Sequence, residues 1–167
     1  MTEVRFKQKN GYGCGVYAVA NALNDESFIT KNRLSVSKKG NNLYQLSRWL
    51  VKDDKKFIIE PIYMNLVSEL QPLPPKGFAL KPNETHQYFP FLLDVSSSEL
   101  GRKHLVGCFS DSNGVVTVMD SLKDEIFKVT WDNLISGSVY NFIIGIYGFS
   151  EIDRKDDVGI WEMLEYL

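Results

Sequence analysis

Two cysteines and two histidines bound the nucleophilic and acid–base chemistry open to this chain of 167 residues. Cys14 falls in GYGCGVYAV, flanked by Gly13 and Gly15, where an apolar helical run begins. A thiol at that place meets unpaired N–H groups and the positive end of a helix dipole, both of which favour the thiolate. His104 opens the apolar run HLVGCF, and Asp120 closes the run VVTVMD that follows it. An imidazole takes a thiol proton, and a carboxylate on its second ring nitrogen fixes the tautomer. Gln8, six residues before Cys14, offers an amide donor to a developing oxyanion, with the Cys14 backbone N–H as the second. Singly, each has an ordinary explanation: a core thiol, a half-buried strand histidine, a strand-ending acid, a loop glutamine. Jointly and in this order, they predict a Cys-His-Asp centre with a glutamine donor.

These side chains need particular elements to bring them together. Cys14 to Asn24 puts Val16, Val19, Ala20 and Leu23 on one helical face. A second helix is expected from Asn42 to Val51, capped by Asn41 or Asn42, with Leu43, Leu46, Trp49 and Leu50 as its apolar face. Val4 to Phe6 reads as a short strand, and residues 57–64 as an extended segment interrupted by Pro61. QPLPPKG, from Gln71 to Gly77, is a turn or linker. Strands are then expected at Tyr88–Val95, His104–Phe109, Val115–Met119, Ile126–Val129 and Val139–Phe149. DSNG, Asp111 to Gly114, is a hairpin turn with Asn113 and Gly114 suited to positive φ. Its register sets His104 opposite about residue 121, within reach of Asp120. Thr130 to Leu134 (TWDNL) reads as a capped helical turn. Helices followed by consecutive antiparallel strands make an α+β domain.

The remaining features read more plainly. Cys108 lies four residues beyond His104 on the same strand, as a buried core thiol. His86, in the polar stretch PNETHQYF, is a surface residue and the reserve base. Trp131 reads as a core tryptophan, with shielding of the His–Asp pair as its alternative. The cluster Lys31, Arg33, Lys38 and Lys39 is a solvated loop, without the interleaved aromatics of a nucleic-acid groove. At 44% hydrophobic residues and a net charge of −2, the chain has enough apolar content for one core and lacks a nucleic-acid binder's basic excess. The soft ligands are too few and scattered for a zinc site, and neither a metal nor another cofactor is implied. No apolar stretch reaches the length of a membrane span, and the charged start MTEVRFKQKN is no signal peptide. The expectation is a cytoplasmic protein with no membrane partner. Residues 1–150 read as one catalytic domain. Glu151 to Leu167 carries six acids and two bases, a local net of −4 that leaves +2 on the rest. Interleaved Val158, Ile160, Trp161, Met163, Leu164 and Leu167 make this an amphipathic tail docked on the domain.

QKNGYGCGVYAVANAL, Gln8 to Leu23, resembles the oxyanion glutamine and nucleophilic cysteine of papain-like cysteine peptidases. HLVGCFSDSNGVVTVMDS, His104 to Ser121, is similar to the histidine strand, tight turn and Asp-ending strand of the bacteriocin-leader-processing (double-glycine) peptidases. EIFKVTWDNL, Glu125 to Leu134, resembles the short strand and helical turn that follow there. The resemblance implies a papain-like fold, with a Cys-bearing N-terminal helix packed on an antiparallel sheet that bears His and Asp. It also implies a cysteine peptidase acting on a peptide or protein. Cys14 becomes the nucleophile, His104 the base and acid, Asp120 the orienting acid and Gln8 the oxyanion donor. Gly13 stands where an Asp is common in the leader-processing group, and Ser121 where a Pro is, so the broader papain-like class is the better fit. Josephin-type deubiquitinases share a near-N-terminal Gln and Cys and a late His. An isopeptidase, an acyltransferase, or a binding protein that keeps the fold without turnover are the alternatives.

Overall fold

The computed structural model describes residues 6–7, 14–32, 43–52, 57–64, 73–79, 88–95, 104–123 and 125–151. Three helices come first: α1 (Cys14–Leu23), α2 (Glu26–Asn32) and α3 (Leu43–Lys52). β1 (Phe57–Met64), β2 (Tyr88–Asp94), β3 (Leu105–Asp111), β4 (Val115–Met119) and β5 (Phe127–Thr130) follow. The short helix α4 (Trp131–Ile135) and β6 (Gly145–Glu151) complete an α+β architecture. The strands form one antiparallel sheet of six, in the order β1-β6-β2-β3-β4-β5. Among the described residues no helix is long and apolar enough to cross a membrane.

Both faces of the central strands are covered, which is why their sequences run apolar without polar alternation. On one face Leu92, Leu105 and Tyr147 pack against Val16, Val19 and Ala22 of α1, Phe28 of α2 and Leu46 and Leu50 of α3. On the other, Phe91, Leu93, Val106, Cys108, Val116 and Val118 pack against α4 and Ile143. Trp131 anchors α4 by stacking on Phe91, with ring centroids 5.2 Å apart, and by donating its indole N–H to Ser110 Oγ at 3.0 Å. That is the core role, and the distance to Ser110 places the indole at the turn end of β3 and not beside His104. Gly107 brings α1 and β3 together. A Cβ there would overlap the Ala18 carbonyl oxygen and lie 2.9 Å from the Ala22 nitrogen, so only glycine admits this approach.

Several boundaries differ from the sequence expectations. Left-handed Asn24, at φ 54°, ends α1, and Asp25 starts α2 at once by accepting from the Ser27 N–H at 3.1 Å. The Asn-Asp pair carried that signal. β1 runs through Pro61 with a register shift between Pro61 and Tyr63, which an edge strand tolerates. Gly114 alone takes positive φ in the DSNG turn. Asp111 Oδ1 accepts from Asn113 and Val115 N–H at 2.8 and 3.0 Å and does the remaining work of the turn.

The last strand begins at Gly145, not Val139. Ser138 Oγ is bound to the Asn133 carbonyl at 2.6 Å, and Gly137 turns at φ 90°. The chain therefore turns at 136–138, runs irregularly through 139–143, and rejoins the sheet where the Ile144 N–H donates to the Asp94 carbonyl at 2.9 Å. Phe6 stands in a bend held by Asn21, while Val4 and Arg5 lie outside the described residues. The same holds for the expected cap at Asn41 or Asn42, for Arg33, Lys38 and Lys39, and for the tail beyond Glu151.

Candidate functional site

Cys14 is the first residue of α1 and is half-buried. α1 lies against β3, and its Cys14 end meets the beginning of that strand, where His104 stands just before Leu105. The His104 carbonyl accepts from the Val95 N–H at 3.0 Å, which ties this residue to the end of β2. Asp120 follows β4 directly. Gly107 pairs with Met119 and Cys108 with Val118, so Asp120 falls level with Val106, on the side of the hairpin to which His104 also belongs. The two side chains meet diagonally, as neighbours two positions apart do on one face of a sheet. His104 Nε2 lies 2.9 Å from Asp120 Oδ1, and both residues are buried.

Asp120 has further donors. Its Oδ1 accepts from the Leu122 N–H at 3.0 Å, and its Oδ2 from the Tyr140 hydroxyl at 2.7 Å. Tyr140 lies in the irregular segment after α4, so reading that segment as a strand concealed it. The nearest sequence signal is SGS at Ser136 to Ser138, which marks a turn where the strand was expected to begin. Lys123 extends its ammonium over the Phe127 and Tyr140 rings, 5.3 and 6.0 Å from their centroids.

The electrostatics follow from these contacts. Burial pushes the Cys14 thiol up, but hydrogen bonds from His104 and the Leu105 and Gly15 backbones, with the charge of His104, bring it below its ordinary value. Burial alone would lower His104. The Asp120 hydrogen bond and charge, together with the Cys14 contact, raise it to about 9. Asp120, penalised by burial, is still held below the usual carboxylate range by His104, Tyr140 and Leu122. Each contact thus favours the charged form of its group: thiolate on Cys14, imidazolium on His104 and carboxylate on Asp120. With Nε2 engaged by Asp120, Nδ1 is the ring nitrogen that serves the Cys14 sulfur.

Cys108 is fully buried in the apolar core, and burial followed by the Asp120 charge pushes its thiol well up. The structure thus brings together Cys14, His104 and Asp120, and leaves Cys108 as an inert thiol. Gln8 and His86 lie outside the described residues. Asn21 was not singled out in the sequence. It is fully buried, accepts from the Phe6 N–H and donates to the Phe6 carbonyl, both at 2.9 Å, and so fixes the chain two residues before Gln8. Among the described residues no three His, Cys, Asp or Glu side chains gather as metal ligands. Compared with known proteins, the sequence matches no family model and no curated protein.

Proposed function

We propose that this chain is a papain-like cysteine hydrolase that cleaves amide bonds in a peptide or protein. The observation that carries this reading is the buried relay from Cys14 through His104 to Asp120, set at the start of a helix. The Cys14 thiolate adds to the substrate carbonyl carbon, and the carbonyl π electrons move to oxygen. Gln8 and the Cys14 backbone N–H are the donors for that oxyanion. His104 Nδ1 gives its proton to the departing amine as the C–N bond breaks, leaving a thioester on Cys14. Neutral His104 then takes a proton from water, the hydroxide adds to the thioester, and the acid and thiolate are regenerated.

Thiol alkylation followed residue by residue tests the reading. At pH 6 an unperturbed thiol is less than about 1% ionised, so native Cys14 should react with iodoacetamide at least tenfold faster than the same residue in urea. His104→Ala should abolish that difference. Equal rates for native and unfolded Cys14, or full reactivity in His104→Ala, would remove the basis for the proposal. Cleavage of a peptide library by the wild type but not by Cys14→Ala completes the case for hydrolysis; no cleavage would favour the non-catalytic alternative.

A further inference from the structure

We infer that Tyr140 is a positioning residue of the relay: its hydroxyl holds the second oxygen of Asp120, so that the first stays aimed at His104 and the carboxylate stays ionised. The inference rests on the proposed Cys-His-Asp relay and extends it by one group. Asp120 has two oxygens with different duties. Oδ1 faces His104 Nε2 and the Leu122 N–H, at 2.9 and 3.0 Å, and Oδ2 takes the Tyr140 hydroxyl at 2.7 Å. With both oxygens bound, the carboxyl plane cannot rotate without breaking a charge-assisted bond. A buried carboxylate that lost one donor would recover neither water nor alignment.

The fold makes a specific provision for this contact. Thr130 caps α4 by accepting from the Asn133 N–H at 3.2 Å. Ser136 and Ser138 hydroxyls both close on the Asn133 carbonyl, at 2.9 and 2.6 Å. Gly137 turns in the left-handed region with the Leu73 side chain 3.3 Å from where a Cβ would stand. This turn delivers Tyr140, two residues after Ser138, to the end of β4. Tyr140 also packs on the apolar cluster that contains Cys108 and Val118. Among the described residues the charged and titratable groups facing the Asp120–Tyr140 pair are His104, Cys108 and Lys123. Cys108 is held neutral. Lys123 sits over the ring and not at the hydroxyl, and an ammonium there makes the phenol a better donor.

The direction of the effect follows. Ionised Asp120 holds His104 as imidazolium, and the imidazolium holds Cys14 as thiolate. Removing the Tyr140 donor frees the Asp120 carboxyl to turn and weakens its hold on the imidazolium, and with it the imidazolium's hold on the thiolate, so the acid limb of Cys14 reactivity moves up. The rate of Cys14 alkylation is measured against pH in wild type, Tyr140→Phe, Asp120→Asn and the double variant, with a urea titration of each. Tyr140→Phe should shift the acid limb upward by about one pH unit, and should add no shift in the Asp120→Asn background. Site-specific replacement of Tyr140 by 3-fluorotyrosine, a stronger donor of nearly the same shape, should shift the limb the opposite way. It keeps the test usable if the Phe variant folds poorly. A wild-type profile in a folded Tyr140→Phe protein, or the same shift without the Asp120 carboxylate, overturns the inference. Reactivity indifferent to His104→Ala overturns the relay itself, a different outcome from either.

Discussion

Replacing Gly107 by alanine asks whether the closeness of α1 to β3 is what sets the thiol against its base. The added Cβ would overlap the Ala18 carbonyl oxygen, and would lie 2.9 Å from the Ala22 nitrogen and 3.0 Å from the Asn21 Cβ. The first two obstacles are backbone atoms of a helix interior, so no side-chain rotation relieves them. Ordinary carbon contacts need about 3.5 Å, so α1 must withdraw by something on the order of 1 Å. Overpacking of this kind costs about 1–3 kcal/mol of stability. The same displacement carries Cys14 away from His104, and an error of about 1 Å in a reacting pair costs about a hundredfold in rate. Urea unfolding should therefore show a lowered midpoint, and native Cys14 should lose most of its alkylation advantage at pH 6. Gly114→Ala is the control: at φ 77° with nothing within 4 Å, it strains the hairpin turn and should lower stability without slowing Cys14. A Gly107→Ala protein with both wild-type stability and wild-type thiol reactivity would refute the claim that this contact positions the site.

The remaining predictions concern pH and the N-terminal segment. His104 is raised from 6.5 to about 9, so its contribution to stability is full below pH 6.5 and is lost as pH climbs through 9. At about 1.4 kcal/mol per unit this comes to about 3–4 kcal/mol as an order of magnitude. Cys14, lowered from 9.0, contributes in the opposite sense, present above pH 9 and lost as pH falls, so the two act against each other in the wild type. Cys14→Ala removes the opposing thiol along with its own share of the imidazole's rise and leaves the Asp120 share, so its urea midpoint should fall more steeply above pH 6.5 than that of the wild type; a flat profile in the variant would contradict the hold of Asp120 on the imidazole. Asn21→Ala removes two hydrogen bonds to the Phe6 backbone and should cost about 1–3 kcal/mol. Because Gln8, the proposed oxyanion donor, lies two residues beyond Phe6, peptide turnover should fall further than the alkylation rate, and equal losses in both would argue against that link.

What the sequence made legible was local. Cys14 at a glycine-flanked helix start, His104 at the head of an apolar strand and Asp120 at the tail of the next are all readable from pattern. The DSNG turn fixed their separation to within one residue, enough to place the pair on one side of the hairpin. What escaped depends on groups that meet only in three dimensions. Tyr140 lies in VYNFIIGIYGF, whose β-branched and aromatic residues read as strand throughout. Its first residues are diverted by the serine–glycine turn that closes on Asn133. Gly107 reads as a weak point inside a strand until the helix lying on it is known. Asn21 sits within an apolar helical run, and no pattern discloses that its amide serves the backbone of Phe6 fifteen residues earlier.

One carboxylate sets the chemistry of both cysteines, and it does so in opposite senses. Asp120 acts on Cys14 through an intermediary: it raises His104, and the resulting cation stabilises the thiolate. It acts on Cys108 directly, as a negative charge near a fully buried thiol, and reinforces the burial that keeps that thiol protonated. The difference is not one of distance from charge alone, since both thiols lie near the same relay. It comes from what stands between. Cys14 has the imidazolium and the N–H groups of Gly15 and Leu105 facing it, whereas Cys108 is packed among apolar side chains, donates weakly to the Val106 carbonyl 3.9 Å away, and has a single backbone hydrogen bond, with Met119, that burial and the Asp120 charge outweigh. The half-buried and the buried thiol need no separate device to tell them apart, because the carboxylate that favours the Cys14 thiolate through His104 also keeps Cys108 protonated.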